Sequence, residues 1–336
     1  MAGKKKLNAE ELEKEIEKLT KMKYSSETKE QKFSVLSIRG YTYEKLSNIK
    51  NKEQNLRRAI IDFTEALEYT IERGGEISIL GYRGICYFDL SQIVDKKENV
   101  LRAIDDFTKL ITIKEKDELR FADFYYRGIS YKELSKFDDK KLNLERAIED
   151  FKLAEKLPND NDERIFQIFL FKGLSYKELS KFDDKKLNLR KSLKYFGIAF
   201  ETLKKIKGHP LYNPILSHEK GNVYSDMGDF HRAILYYKDA LENIDKSSSE
   251  KEKTDVKEML NAKIYLARGI AQIKFKEPEK AIEDFERGLE IAKNIEKSPE
   301  YGSIVSNICF NRGVAYYKLG DNERAKRDFE EAIKIT

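Results

Sequence analysis

The sequence has few of the residues that mark several protein classes: two Cys, five Pro, three His and no Trp among 336 residues. Cys86 and Cys309 are too few and too far apart in sequence to form a disulfide framework, so we expect a reducing environment. No stretch approaches 18 uncharged apolar residues, and the lysines at positions 4–6 are followed by polar residues. The sequence therefore predicts no membrane span, no signal peptide and a cytoplasmic location.

A strong excess of charge of one sign is also lacking. The 65 Lys and Arg residues against 60 Asp and Glu residues give a formal net charge of +5. The basic pairs at 140–141 and 185–186 stand beside acidic pairs at 138–139 and 183–184, so we expect no nucleic-acid partner. A composition of 40% hydrophobic and 37% charged residues indicates a soluble, helix-rich chain that can bury a core.

Residues that could carry catalysis or hold a metal ion are sparse. His209, His218 and His231 show none of the spacings of a metal site, and no phosphate-binding glycine motif occurs. Cys86 and Cys309 occupy positions typical of small packed residues. The abundant carboxylates are explained by solvated helix faces. We therefore expect no metal, no cofactor and no catalytic residues, which argues against an enzyme.

An internal repeat dominates the sequence. A basic residue followed by Gly recurs seven times, at spacings of 44 to 48 residues: Arg39-Gly40, Arg83-Gly84, Arg127-Gly128, Lys172-Gly173, Lys220-Gly221, Arg268-Gly269 and Arg312-Gly313. Three residues after this Gly stands a Tyr in six copies, and six residues after it stands a large apolar residue. These offsets indicate one face of a helix.

A second helical block follows each of these helices. Its anchors are Ala59, Ala103, Ala147, Ser192, Ala233, Ala281 and Ala325. Four residues after each anchor stands a Phe or Tyr, and seven residues after it stands a mostly small residue. Small residues beside large ones at this spacing form a stripe for close helix packing, so each repeat is predicted to be a helical hairpin.

The pattern Gly313, Tyr316, Ala325, Phe329 and Ala332, present in all seven copies with few exceptions, resembles the tetratricopeptide repeat. The resemblance implies an all-α fold, a right-handed α-solenoid (superhelix) of tandem antiparallel helix hairpins. We expect an N-terminal charged tail and capping helix at 1–28, with Asn8 and Glu11 as a capping box, and a seven-repeat solenoid at 29–336. The expected repeats are approximately 30–73, 76–116, 118–157, 162–207, 213–245, 255–295 and 300–336.

These repeats depart from the usual length of about 34 residues. In the first four, Gly and the anchor are 19 residues apart, whereas in the last three they are 12 apart. The inserts share an Asn followed by Leu or Val, at Asn55, Asn99, Asn143 and Asn188. We expect a second helix extended by two turns, with Asp95, Asp139 or Asp184 as N-caps. The segments 131–144 and 176–189 are identical, which indicates duplication.

Covariation among the seven copies predicts a contact inside each hairpin. An Asp stands three residues after the anchor in the five copies that carry Arg before Gly, and a Tyr replaces it where Lys replaces Arg. A guanidinium fork suits a carboxylate better than an ammonium does. The predicted pairs are Arg39 with Asp62, Arg83 with Asp106, Arg127 with Asp150, Arg268 with Asp284, and Arg312 with Asp328. We therefore favour a structural role for this basic column over a phosphate-binding one.

The resemblance also implies a concave groove lined by the first helix of each repeat. The implied groove residues are Tyr41, Glu44, Ile85, Phe88, Tyr125, Ile129, Lys132, Leu170, Leu174, Lys177, His218, Asn222, Leu266, Ile270, Phe310 and Tyr317. Their mixture suits a peptide with apolar anchors, although some of them could instead pack on the next repeat. Ser37, Tyr41 and Ile85 stand where the chaperone-binding members need Lys and Asn, so a carboxylate clamp is not supported.

The expected function is a non-catalytic protein–protein interaction scaffold that binds a peptide or protein segment in this groove. One alternative is a self-assembling or end-capped module, because the last hairpin lacks a polar capping helix over Phe329, Ile333 and Ile335. Another is the sensor or recognition part of a larger bacterial effector complex, since the extended helices resemble bacterial repeat proteins fused to protease or nucleotide-binding domains. The residues leave these alternatives, the partner's identity and the oligomeric state open.

Overall fold

The computed structural model describes residues 8–159, 161–206, 210–246 and 255–335. Within these ranges the chain forms α-helices and two short 3-10 segments, and no strand. The helices are α1 (Ala9–Tyr24), α2 (Lys29–Ser47), α3 (Lys52–Glu68), α4 (Arg73–Ser91), α5 (Lys96–Ile113), α6 (Phe121–Leu134), α7 (Lys140–Glu155), α8 (Asp162–Leu179), α9 (Lys185–Leu203), α10 (Tyr212–Asp226), α11 (Phe230–Lys246), α12 (Asp255–Lys274), α13 (Pro278–Ala292), α14 (Tyr301–Lys318) and α15 (Asn322–Ile335). None of these described helices is both long and apolar enough to cross a lipid bilayer.

The helices after α1 pair as seven hairpins, from α2 with α3 to α14 with α15. Each hairpin holds one of the seven Gly residues on its first helix and one anchor residue on its second helix. The chain divides into two compact parts between residues 160 and 161. We call them the N-terminal half, with α1 and three hairpins, and the C-terminal half, with four hairpins.

The first helices of the hairpins form a continuous layer within each half. In the N-terminal half α2 contacts α4 and α4 contacts α6, and in the C-terminal half α8, α10, α12 and α14 contact one another in turn. Among the described residues, no two second helices of successive hairpins pack as extensively. The first helices are therefore the inner layer of each half, and the second helices are the outer layer.

Helix α1 takes the place of a second helix in front of the first hairpin. The predicted capping box is confirmed: Glu11 N donates to Asn8 Oδ1 and Asn8 N donates to Glu11 Oε2, each at 2.9 Å. The helix begins at Ala9 and ends at Tyr24, within the predicted segment 1–28. Arg39 Nη1 donates to Thr20 Oγ1 at 3.1 Å, as Arg83 Nη1 does to Thr64 Oγ1 in the next hairpin.

The extended repeats owe their turns to the buried Asn of each insert. The side-chain amide of Asn55 donates to the carbonyl of Lys50 at 2.8 Å, and that of Asn99 to Val94 at 2.9 Å. Asn143 and Asn188 make the equivalent bonds. Each Asn side chain thus bonds a carbonyl of the turn that precedes its helix.

The predicted Asp caps are confirmed in two of the three repeats. Asp139 accepts from Leu142 N at 3.1 Å, and Asp184 accepts from Leu187 N at 3.0 Å. The prediction is wrong for Asp95, which makes no side-chain cap. Its backbone is left-handed, with φ of 47°, and its carboxylate accepts instead from Arg57 Nη2 at 3.4 Å.

The repeated Gly allows the second helix to approach closely. A Cβ placed on Gly128 would lie 2.7 Å from Cε1 of Phe151, closer than real contacts allow. Phe151 is fully buried, between the equally buried Ala147 and Ala154 on the same helix. The same Gly-to-aromatic contact recurs in every hairpin. The ring therefore occupies the space that a side chain at the Gly position would need.

Candidate functional site

The five Arg–Asp pairs all form in the structure, with one geometry. In each pair Arg Nε donates to Asp Oδ2 and Arg Nη2 donates to Asp Oδ1, at 2.5 to 2.9 Å. The Asp side chains are 2 to 9% exposed. A bidentate fork that is largely shielded from water is the strong form of this interaction.

Burial makes these carboxylates dependent on their Arg partners. It raises the pKa of Asp106, Asp150 and Asp284 above the ordinary Asp value, although the paired Arg opposes the shift in each case. A desolvated carboxylate without its cation would be costly. These Arg residues are therefore occupied inside their hairpins, which supports a structural role.

The two repeats without an Asp use an aromatic ring in its place. Lys172 Nζ lies 4.2 Å from the centroid of the Tyr195 ring, and Lys220 Nζ lies 5.7 Å from that of Tyr236. An ammonium over a ring face is attracted by the ring quadrupole. The covariation of Lys with Tyr thus reflects a contact across the same hairpin.

The groove residues implied by the sequence differ widely in accessibility. Tyr41, Phe310 and Tyr317 are exposed, at 36, 53 and 66%. The half-buried ones are Glu44, Ile85, Phe88, Lys132, Leu174, Lys177, His218, Asn222, Leu266 and Ile270. By contrast Tyr125, Ile129 and Leu170 are buried, at 7 to 8% exposure. Among the implied groove residues, the exposed aromatic side chains therefore lie on α2 and α14.

In the N-terminal half, the inner layer carries an aromatic pair beside two carboxylates. The ring centroids of Tyr41 and Tyr82 are 5.1 Å apart, and Lys45 Nζ lies 4.2 Å from the Tyr41 centroid. Burial raises the pKa of Glu44 and of Asp89, and the charge of Asp89 adds to the shift at Glu44. Among the described residues no Lys or Arg forms an ion pair with either carboxylate, although Lys45 and Lys52 act on them at longer range. Sequence patterns missed this feature, because the two acids occupy different positions in their repeats.

Neutralising this acidic pair is expected to stabilise the fold near neutral pH. Because each pKa is higher in the folded chain, the folded protein binds protons more tightly, and ionisation costs stability. As pH rises from about 4 through the raised pKa values, the parent protein should lose stability relative to a Glu44→Gln/Asp89→Asn variant. Urea unfolding between pH 4 and 8, with exposed Glu17→Gln as control, measures this difference. A variant that is less stable at every pH would contradict the assignment.

In the C-terminal half, a polar network occupies the inner layer at α8 and α10. Lys177 Nζ donates to Glu219 Oε2 at 2.5 Å, and Tyr237 Oη donates to Asn222 Oδ1 at 2.8 Å. Burial would raise the pKa of Glu219, but the charge of Lys177 lowers it below its usual value. Burial lowers the pKa of His218, which keeps its imidazole neutral at pH 7. These groups interact with one another, so they form a connected polar network within the inner layer.

Metal-ligating groups do not cluster in the described part of the chain. There, no group of three or more His, Cys, Asp or Glu side chains could hold a metal ion. Burial raises the pKa of the Cys86 thiol well above its usual value, which disfavours the thiolate that a nucleophile or ligand needs. His209 lies outside the described residues.

Two family models, both described as tetratricopeptide repeat, match this sequence. One covers residues 306–336, and the other covers 216–245 and 262–295. Three segments of the chain carry tetratricopeptide repeats. All three matches lie in the last three repeats, which have the shorter spacing of 12 residues between Gly and anchor. No curated protein matches the sequence.

Solved structures share the fold at low sequence identity. BtubC from P. vanneervenii has a TM-score of 0.54 and 16% identity, over 71% of this chain and 89% of its own. The apo form of RapI has a TM-score of 0.56 and 13% identity, over 97% of this chain and 96% of its own. A signal-transduction ATPase with a tetratricopeptide repeat sensor, from Pyrococcus horikoshii, has a TM-score of 0.62 and 16% identity. That match covers 98% of this chain, which spans 47% of the ATPase. These similarities concern the fold.

Proposed function

We propose that this tetratricopeptide repeat protein is a non-catalytic scaffold that binds a peptide or protein segment on the inner layer of its first helices. The observation that carries the proposal is the exposure of Phe310 and Tyr317 on α14, at 53 and 66%. Large aromatic side chains are the usual anchors of protein interfaces, and leaving them in water costs free energy that a partner would recover. The positions equivalent to Phe310 on α6 and α8 hold Tyr125 and Leu170, which are buried, so the exposure of Phe310 is not forced by the repeat.

Protein partners fit the charge distribution better than nucleic acid does. The basic column inside the hairpins is occupied by Asp or Tyr partners, so it offers no phosphate-binding ladder. Most exposed Lys residues that form ion pairs do so with an acid three or four residues away in sequence. We also infer a reducing, cytoplasmic environment from the two free, buried cysteines.

A pull-down with matched variants tests the scaffold proposal. The intact chain, a Phe310→Ser/Tyr317→Ser variant and a Leu235→Ser/Ile333→Ser control would be used to capture proteins from lysate of the source organism. The control residues are exposed to a similar degree, at 52 and 76%, but lie on the second helices α11 and α15. We expect a partner that binds the intact chain and the control and is lost with the α14 variant. Equal capture by all three would contradict the proposal.

A sensor role is a second candidate, favoured by the similarity over nearly the whole chain to the sensor-bearing ATPase. In this version the bound segment would report to another domain or protein. Hydrogen exchange with and without the captured partner distinguishes the two: a sensor should change protection in helices distant from the bound ones, whereas a passive scaffold should change only the helices in contact.

A further inference from the structure

The first helices of the last two hairpins, α12 and α14, present an apolar surface bordered by two lysines. We call it the α12–α14 face and define it by Leu266, Ile270 and Lys274 on α12 and Phe310, Tyr317 and Lys318 on α14. The two helices contact each other directly, and the six residues stand three before or one to five after the Gly of their repeats, so we infer that they share one surface. Leu266 and Ile270 are half-buried and rest on the core, which gives the face a firm apolar base.

The two aromatic side chains of the face remain accessible. Phe310 packs against Phe329 with ring centroids 5.5 Å apart, yet half of its surface remains accessible. Tyr317 is two-thirds exposed and lies two turns further along α14. Anchored aromatic rings with a free face suit a partner that inserts side chains between them.

The two lysines at the edge of the face favour a partner segment with negative charge. Lys274 and Lys318 each stand five residues after the Gly of their repeat, and both are exposed. Neither forms an ion pair with any residue that the structure describes. The nearby acids have other basic partners: Glu277 pairs with Lys280, and Asp321 pairs with Arg324. On α10 the same position holds Asp226, whose carboxylate interacts with Lys177, Lys181 and Lys185.

We propose that the α12–α14 face docks a short acidic segment of a partner protein, in which two large apolar side chains are flanked by Asp or Glu. The apolar side chains cover Phe310 and Tyr317, and the carboxylates lie against Lys274 and Lys318. This inference rests on the proposed scaffold function and adds the partner's chemistry and the place of binding. Opposite charges at the rim fix register and speed association, whereas the aromatic contacts supply most of the affinity.

A second surface with exposed aromatic side chains, at α2 and α4, serves for comparison. The inner layer at α2 and α4 has exposed Tyr41 and Tyr82, but it carries two carboxylates, Glu44 and Asp89, and its one lysine at the matching position, Lys45, lies over the Tyr41 ring. A basic segment would therefore be favoured there and disfavoured at the α12–α14 face. The net charge of the bound segment thus indicates which of the two surfaces it binds.

The test is a selection from a random 12-residue peptide library displayed on phage, with the full chain as target. A parallel selection uses a Lys274→Glu/Lys318→Glu variant, in which both substitutions are exposed and leave the core untouched. We expect the intact chain to enrich peptides with two apolar residues and Asp or Glu. We expect the variant to enrich peptides with Lys or Arg instead, and to bind the acidic peptides at least tenfold more weakly at low salt. This difference should shrink as salt is added.

Each other result would overturn a different part of the account. Peptides lost with Phe310→Ser/Tyr317→Ser but indifferent to the lysine reversal would overturn the acidic partner and leave the scaffold function standing. Basic peptides lost with Glu44→Gln/Asp89→Asn would move the site to α2 and α4. Peptides that no inner-layer variant affects would contradict the scaffold function itself. Thermal melting of every variant confirms that each one is folded.

Discussion

Replacing Arg127 with Ala is expected to reduce the free energy of unfolding by about 3 kcal/mol, because Asp150 is left charged and buried. The carboxylate is 4% exposed and accepts two hydrogen bonds from this one side chain, at 2.9 and 2.7 Å. Burial already raises the pKa of Asp150, so losing the cation should raise it further. The variant should therefore lose most stability at neutral pH and less in acid, where Asp150 becomes protonated.

A double-mutant cycle separates this pair from general damage to the hairpin. Arg127→Ala, Asp150→Ala and the double variant would be compared by urea unfolding, followed by circular dichroism. We expect the double variant to be more stable than the sum of the single losses predicts, by about 2 kcal/mol. Lys21→Ala, which breaks the exposed pair with Glu17 at 77 and 68% exposure, should leave stability nearly unchanged. Strict additivity of the two single variants would show that the pair is not coupled.

Replacing Phe151 with Ala should reduce the free energy of unfolding by about 3 to 5 kcal/mol. Phe151 is fully buried between α6 and α7, and its ring fills the space over Gly128. Removing the ring leaves a cavity, because Ala147 and Ala154 on either side are too small to close it. Thermal unfolding measured by circular dichroism and calorimetry gives the size of the loss.

Substitutions at Gly128, which faces the Phe151 ring, test the close packing of this hairpin directly. Gly128→Ala should cost about 1 to 3 kcal/mol in the parent protein, because its Cβ would meet the Phe151 ring at 2.7 Å. In a Phe151→Leu background the same substitution should cost clearly less, since the smaller side chain leaves room. Gly74→Ala is the control, because a Cβ there would meet nothing within 4 Å. An equal cost of Gly128→Ala in both backgrounds would show that the close approach does not set the identity of this residue.

The hairpins and their internal pairs could be predicted because the sequence contains seven copies of one pattern. The joint replacement of Arg by Lys and of Asp by Tyr in two copies indicated a contact, and the structure has that contact as Lys172 over Tyr195. The Asn of each insert was recognised as a repeated feature, but its bond to a turn carbonyl five residues earlier was not predicted. The pattern fixes which positions match, but it does not give the hydrogen bond that each one makes.

Accessibility within the inner layer could not be predicted from the repeat. Tyr125 occupies a groove position, but its ring packs against Phe121 and Tyr126 on the same helix and is buried. Phe310 occupies the corresponding position in the last repeat, three residues before Gly, and it remains exposed. The difference depends on the side chains of adjacent helices, which a comparison of equivalent positions does not include. Asp95 shows the same limit, since its left-handed backbone redirects a carboxylate that the pattern assigns as a cap.

Photo-crosslinking from Tyr317 tests the central claim most directly. A photoreactive phenylalanine analogue would replace Tyr317 on α14 in one variant and Leu235 on α11 in another, with both expressed in cells of the source organism. Both positions are more than half exposed, so the analogue is accessible in each. We expect a specific crosslinked protein from position 317 and none from position 235. A crosslink from position 235 alone, or the same products from both, would contradict a binding site on the inner layer.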